Sequence, residues 1–94
     1  MDHLLLLNGL SRRVKPAQSA FRDATTLEQP LADTGLDSLD TTLLAVYVCE
    51  VFGIPEETGK KLAPKTFSDI VRFVEQHGTH VPASVEEALA SVDG

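Results

Sequence analysis

Gly35-Leu36-Asp37-Ser38-Leu39-Asp40-Thr41, with the apolar run that follows it to Phe52, decides how this chain is read. Ahead of it stands Glu28-Gln29-Pro30-Leu31-Ala32-Asp33-Thr34-Gly35, a breaker-rich segment that cannot continue a regular element. Behind it, Leu39 to Phe52 holds neither Gly nor Pro and stops at Gly53, which suits a helix of about four turns. Asp37 or Ser38 is a good N-cap, and Asp40 falls in the first turn, where the helix dipole favours an anion. Ser38 is therefore expected at the exposed start of a helix. A hydroxyl placed there is reachable, and the neighbouring N–H groups and dipole favour a phosphate ester. The alternative is that Ser38 serves only as a cap.

Working outward, residues 2–14 place Leu4, Leu7, Leu10 and Val14 on one helical face. Arg12, Arg13 and Lys15 suit the last turn of that helix, and Pro16 closes it. Asn8-Gly9 in its middle costs about 1 kcal/mol against Ala and predicts a weak spot. Residues 15–37 form a long connection, pinned to the core by Leu27, Leu31 and Leu36. After the central helix, Pro55 opens a short turn or helix reaching Leu62, stopped by Pro64. Thr66 with Asp69 makes a capping box for a last main helix, whose stripe is Phe67, Ile70, Val71, Phe73 and Val74 and whose stop is His77-Gly78. The expectation is an all-α bundle of three main helices plus one short helix, with a long loop between the first two, packed around Leu44, Val48, Phe52, Ile70 and Val74. Residues 1–78 form this domain. Residues 79–94 form a tail with a linker at Pro82 and a short segment capped by Ser84, expected to fray.

The 94 residues are 43% hydrophobic, enough for one modest core. A net charge of −6 argues against nucleic acid, which needs basic patches. The charge is uneven: residues 23–59 hold eight acids and no Lys or Arg. An acidic middle suits docking to basic partners, or is simply a solvated face. The single cysteine, Cys49, excludes an intrachain disulfide and reads as a small apolar filler. Leu4–Leu7 is too short to cross a membrane, and Met1-Asp2-His3 lacks a signal peptide's basic start, so a cytoplasmic monomer is expected.

Gly-x-Asp-Ser-Leu-Asp-Thr, leading into an apolar helix and then Phe-Gly-Ile-Pro, resembles the acyl carrier proteins. Asp37-Ser38-Leu39 matches the family's modification motif, with Gly35, Asp40 and Thr41 as its flanks. Phe52 and Ile54-Pro55-Glu56-Glu57 match the end of its second helix and the loop beyond, and the likeness spans roughly residues 2 to 77. Thr34 departs from it, standing where a leucine commonly precedes the glycine. The resemblance implies a 4'-phosphopantetheine arm on Ser38, supplied from coenzyme A by a phosphopantetheinyl transferase. It implies a free-standing carrier of acyl thioesters, and so a phosphoprotein rather than an enzyme, in a polyketide or fatty-acid-like pathway. Acyltransferase, ketosynthase or ligase enzymes would be its partners. Gly35-Leu36, in place of the Gly-Gly usual in peptidyl carriers, favours the acyl type. Peptidyl, aminoacyl and D-alanyl carriers, and an unmodified helical interaction module, are the alternatives.

Catalysis by Ser38 itself fits poorly. In a nucleophile elbow glycines stand two residues either side of the serine, whereas Gly35 is three before and Asp40 takes the second place. His3, His77 and His80 lie near the ends of the domain, away from any triad position. Asp33, Asp37 and Asp40 offer oxygens to a cation but lack the spacing of a calcium loop, and read as loop and cap acids. Leu39, Asp40, Leu43, Val46 and Glu50 share one side of the central helix. In carriers that side faces partner enzymes and is often rich in glutamate. Positions 43 and 49, expected on that side, are Leu and Cys here, leaving Asp40 and Glu50 as its acids, so the side is either buried against the first loop or an unusually apolar docking face.

Overall fold

The computed structural model describes residues 2–14 and 21–93. The expected end of the first helix at Lys15 and Pro16 lies outside the described residues. Among these residues there are five helices, in order: α1 His3–Val14, α2 Ser38–Phe52, α3 Glu56–Gly59, α4 Phe67–His77 and α5 Val85–Asp93. A 3-10 turn at Leu31–Thr34 precedes α2. Among the described residues there is no strand, only an isolated bridge between Pro30 and Thr66. The fold is thus the expected helical bundle, with α1, α2 and α4 as main helices and α3 as the short one.

Local chemistry fixes the ends of these elements. The Asp2 carboxylate accepts the Leu5 N–H at 3.0 Å and starts α1. Thr66 and Asp69 form the reciprocal capping box expected for α4. α2 ends at Gly53, whose φ of 66° is a left-handed cap that costs a residue without Cβ nothing. The turn after α3 continues through N–H donations from Lys61 to Thr58 O and from Leu62 to Gly59 O, so the short element does reach Leu62.

The core joins Leu7 and Leu10 of α1, Leu44, Val48 and Phe52 of α2, and Phe67, Ile70 and Val74 of α4. Leu31 and Leu36 are buried and Leu27 is partly so, pinning the connection as expected. Backbone hydrogen bonds complete the attachment: Leu31 N–H to Lys65 O at 2.9 Å, and Ser68 N–H to Leu27 O at 2.9 Å. Asn8 is no weak spot. It is buried in α1, its Nδ2 donates to Ala24 O at 3.0 Å, and its Oδ1 accepts the Ala24 N–H at 2.8 Å. One side chain thereby satisfies both backbone groups of a buried loop residue. Arg12 and Asp23 pair beside it. Thr34 is fully buried as well, and its hydroxyl donates to Leu31 O at 2.6 Å, so losing the leucine there leaves no orphaned polar group.

The tail corrects an expectation. Residues 85–93 do not stand apart as a fraying segment but pack as α5 against α1 and α2. Thr79 and His80 N–H groups both donate to Phe52 O, and Thr79 Oγ1 donates to Gly53 O at 2.6 Å. The Glu87 N–H donates to Ser84 Oγ at 3.0 Å, which starts the helix. Ala88 is buried, and Leu89 lies so near Gly9 that a Cβ there would meet its methyl carbon at 2.9 Å. A helix this short gains its stability from such docking rather than from its own propensity. That also explains why α1 buries the consecutive run Leu6 to Ser11: it has neighbours on more than one side.

Candidate functional site

The N-cap of α2 is Asp37, and Ser38 is the first residue of the helix. Asp37 Oδ1 accepts the Asp40 N–H at 2.8 Å, and Asp40 Oδ2 accepts the Asp37 N–H at 3.1 Å. The two acids thus close the helix start between them. Ser38 is exposed, and its hydroxyl has no partner among the described residues. The hydroxyls of Thr41 and Thr42 turn back onto Asp37 O and Ser38 O, so they compete for neither the cap nor the serine.

Beside Ser38 runs a groove of about 300 Å³, with Ser38, Thr41 and Thr42 of α2 on one side and Leu62, Ala63 and Pro64 on the other. It adjoins a cavity of about 410 Å³, because Thr42 and Leu62 line both. The cavity is walled chiefly by Ala45, Val46, Cys49, Ile54, Gly59 and Leu62, and carries Glu50, Glu56 and Lys60 as its charged groups. Cys49 is buried against Gly59, and that burial, with the Glu56 carboxylate adding to it, pushes the thiol pKa up. It stays a neutral thiol at neutral pH and is a poor nucleophile.

The outer side of α2 is open. Leu39 is 68% exposed, Leu43 42% and Val46 44%, while Leu44 beside them is fully buried. These three side chains are therefore not enclosed against the first loop, one of the two readings of this face, whereas Cys49, expected on the same side, turns out buried against Gly59. Glu50 is exposed on the same side, and Asp40 is half-buried at its start.

Other candidate groups are not gathered into a site. Neither a histidine nor any other described side chain hydrogen-bonds to Ser38 Oγ. His77 instead packs on Phe73 with ring centroids 4.7 Å apart. Among the described residues no group of His, Cys, Asp and Glu side chains is arranged to hold a metal ion. No described helix is long and apolar enough to cross a membrane. The groove and its far wall at Leu62–Pro64 escaped the sequence reading, which saw Pro64 only as a stop. Compared with family models, with curated proteins and with solved structures, the chain gives no match.

Proposed function

We propose that this chain is an acyl carrier protein, holding acyl intermediates as thioesters on a 4'-phosphopantetheine arm at Ser38. One observation supports this most: Asp37, not Ser38, caps α2, so an exposed serine hydroxyl is left without a structural duty at the mouth of a groove. A cap serine would explain itself. This one does not. The sequence Asp37-Ser38-Leu39 within its Gly35–Thr41 flanks adds the family resemblance.

The residues fit such an arm. Ser38 Oγ would attack the diphosphate of coenzyme A at the phosphorus bearing the pantetheine. The Oγ–P bond forms, adenosine 3',5'-bisphosphate leaves, and the hydroxyl proton passes to a base of the transferase. The helix dipole at the start of α2 favours the resulting phosphodiester. When bound, the arm supplies a terminal thiol that carries cargo as a thioester. This chain's part is to display and shelter it. The groove accommodates the arm's near end, and the mostly apolar cavity adjoining it at Thr42 and Leu62 suits an apolar cargo. Leu39, Leu43 and Val46 form the docking face for acyltransferase, ketosynthase or ligase partners of a polyketide or fatty-acid-like pathway, in the cytoplasm, while the transferase reads the Asp37-Ser38-Leu39 motif itself.

Incubation with coenzyme A and a broad-specificity phosphopantetheinyl transferase tests the reading by intact mass. Wild type should gain one phosphopantetheine, and Ser38→Ala none, with the fold of the variant unaltered because no cap is lost. An unmodified wild type would instead leave a helical interaction module.

A further inference from the structure

Three of the eight Lys and Arg residues, Lys60, Lys61 and Lys65, fall within six positions, after a stretch from residue 23 to 59 that has none. The same six positions contain Leu62, Ala63 and Pro64, the wall that faces Ser38 across the groove. All three lysines are exposed, and none has an ion-pair partner among the described residues. Their backbone is held in place. Lys61 donates to Thr58 O at 3.1 Å, Lys65 N–H donates to Asp69 Oδ2 at 2.8 Å, and Lys65 O accepts the Leu31 N–H. On the serine side the charge has the opposite sign, with Asp37 and Asp40 flanking Ser38.

We propose that the segment Lys60–Lys65 is the seat of the arm's phosphodiester, with Lys61 and Lys65 as its charge partners across the groove. The inference rests on the carrier reading and adds to it a place for the arm. A phosphodiester esterified to Ser38 brings a further anion next to Asp37 and Asp40. The helix start offsets this only within its first turn. Lys61 and Lys65 bracket Leu62–Pro64, the opposite wall, in sequence, and their exposed side chains are flexible point charges suited to such an anion. They act as positioning residues: they bias the arm toward the groove and the adjoining cavity rather than toward solvent. The attraction runs between exposed charges, so salt weakens it.

The test compares wild type with the double variant Lys61→Gln, Lys65→Gln, each converted with coenzyme A and the transferase and verified by intact mass. Backbone amide spectra are recorded before and after modification at low salt and in roughly 0.5 M NaCl, where screening is strong. In wild type at low salt, modification should shift the amides of Leu62, Ala63 and Lys65 as well as those of residues 37–42. The shifts at 62–65 should fall several-fold in high salt and in the double variant, while those at 37–42 persist. Shifts confined to residues 37–42 in wild type overturn the seat and leave the carrier reading intact. So do shifts at 62–65 that neither salt nor the substitutions diminish. A wild type that takes up no arm overturns the carrier reading, and the seat falls with it.

Discussion

Replacing Leu43 by Glu separates a docking face from a core. Leu43 is 42% exposed, so about three-fifths of its surface is covered. Full burial of a leucine is worth about 1.5–3 kcal/mol, which puts about 1–2 kcal/mol at stake. Glutamate keeps two methylenes and an equal helix propensity, but adds a like charge three residues after Asp40, costing roughly 0.2–0.5 kcal/mol. The net loss is about 1 kcal/mol, or roughly 4–8 °C in melting temperature for a domain of this size. The neighbouring Leu44→Glu is the internal standard. Leu44 is fully buried, and a carboxylate there should cost roughly 4 kcal/mol or more and unfold most of the protein. Thermal melts by circular dichroism give the stability arm. Phosphopantetheinylation followed by acyl transfer to or from the cognate acyltransferase gives the functional one. Leu43→Glu should be modified at Ser38 normally yet transfer about tenfold more slowly, the equivalent of about 1.4 kcal/mol of lost contact. A collapsed fold would place Leu43 in the core. An unchanged transfer rate in a folded variant would show that partners do not read this face.

Truncation after Gly78 removes the buried Ala88 and the Leu89 contact at Gly9, and should lower stability by about 2 kcal/mol or more; a melt like that of the intact chain would mean that α5 does not dock. Asn8→Ala strips partners from both Ala24 backbone groups and should cost about 2–4 kcal/mol, with faster hydrogen exchange at the Ala24 amide as its local signature. The Asp69 carboxyl is held below its ordinary pKa by the Lys65 backbone N–H first, and also by Arg72 and the Thr66 N–H. The unfolded chain therefore takes up that proton at higher pH than the folded one. Asp69 stabilises the fold above the ordinary carboxylate range, and this contribution is lost as pH falls through the lowered value. The stability gap between wild type and Asp69→Asn should narrow below about pH 4 in urea melts.

The elements whose signals are local were legible in the sequence. Capping at Thr66 and Asp69, the Gly53 stop and the Phe67–Val74 stripe each depend on residues within a turn of one another, and the structure keeps them. The misjudged parts depend on contacts distant along the chain. Asn8 looked like a helix weakness because its partner, Ala24, lies sixteen residues on across the loop. α5 looked too short to fold because its anchor is Gly9, eighty residues earlier, where the missing side chain makes room for Leu89. The serine was legible as a helix start, but only the Asp37–Asp40 pair reveals that capping is done without it.

The same contrast bears on α2. A helix apolar nearly all round normally signals complete enclosure, and α2 comes close: it meets α1, α3, α4 and α5. Its hydrophobicity therefore reports many neighbours rather than a special surface. What stands out is the remainder, Leu39, Leu43 and Val46, which those helices leave substantially exposed. They begin one residue after Ser38 and run along the helix toward Glu50, so a partner reaching for an arm at Ser38 would meet them. Across the groove stands the wall Leu62–Pro64, which Lys61 and Lys65 bracket in sequence. An apolar strip on one flank of the serine and cations on the other divide the labour physically: dispersion and desolvation would hold the partner, while charge would hold the arm. Salt should consequently loosen the arm while leaving partner affinity largely intact, an asymmetry that a face read through its carboxylates would reverse.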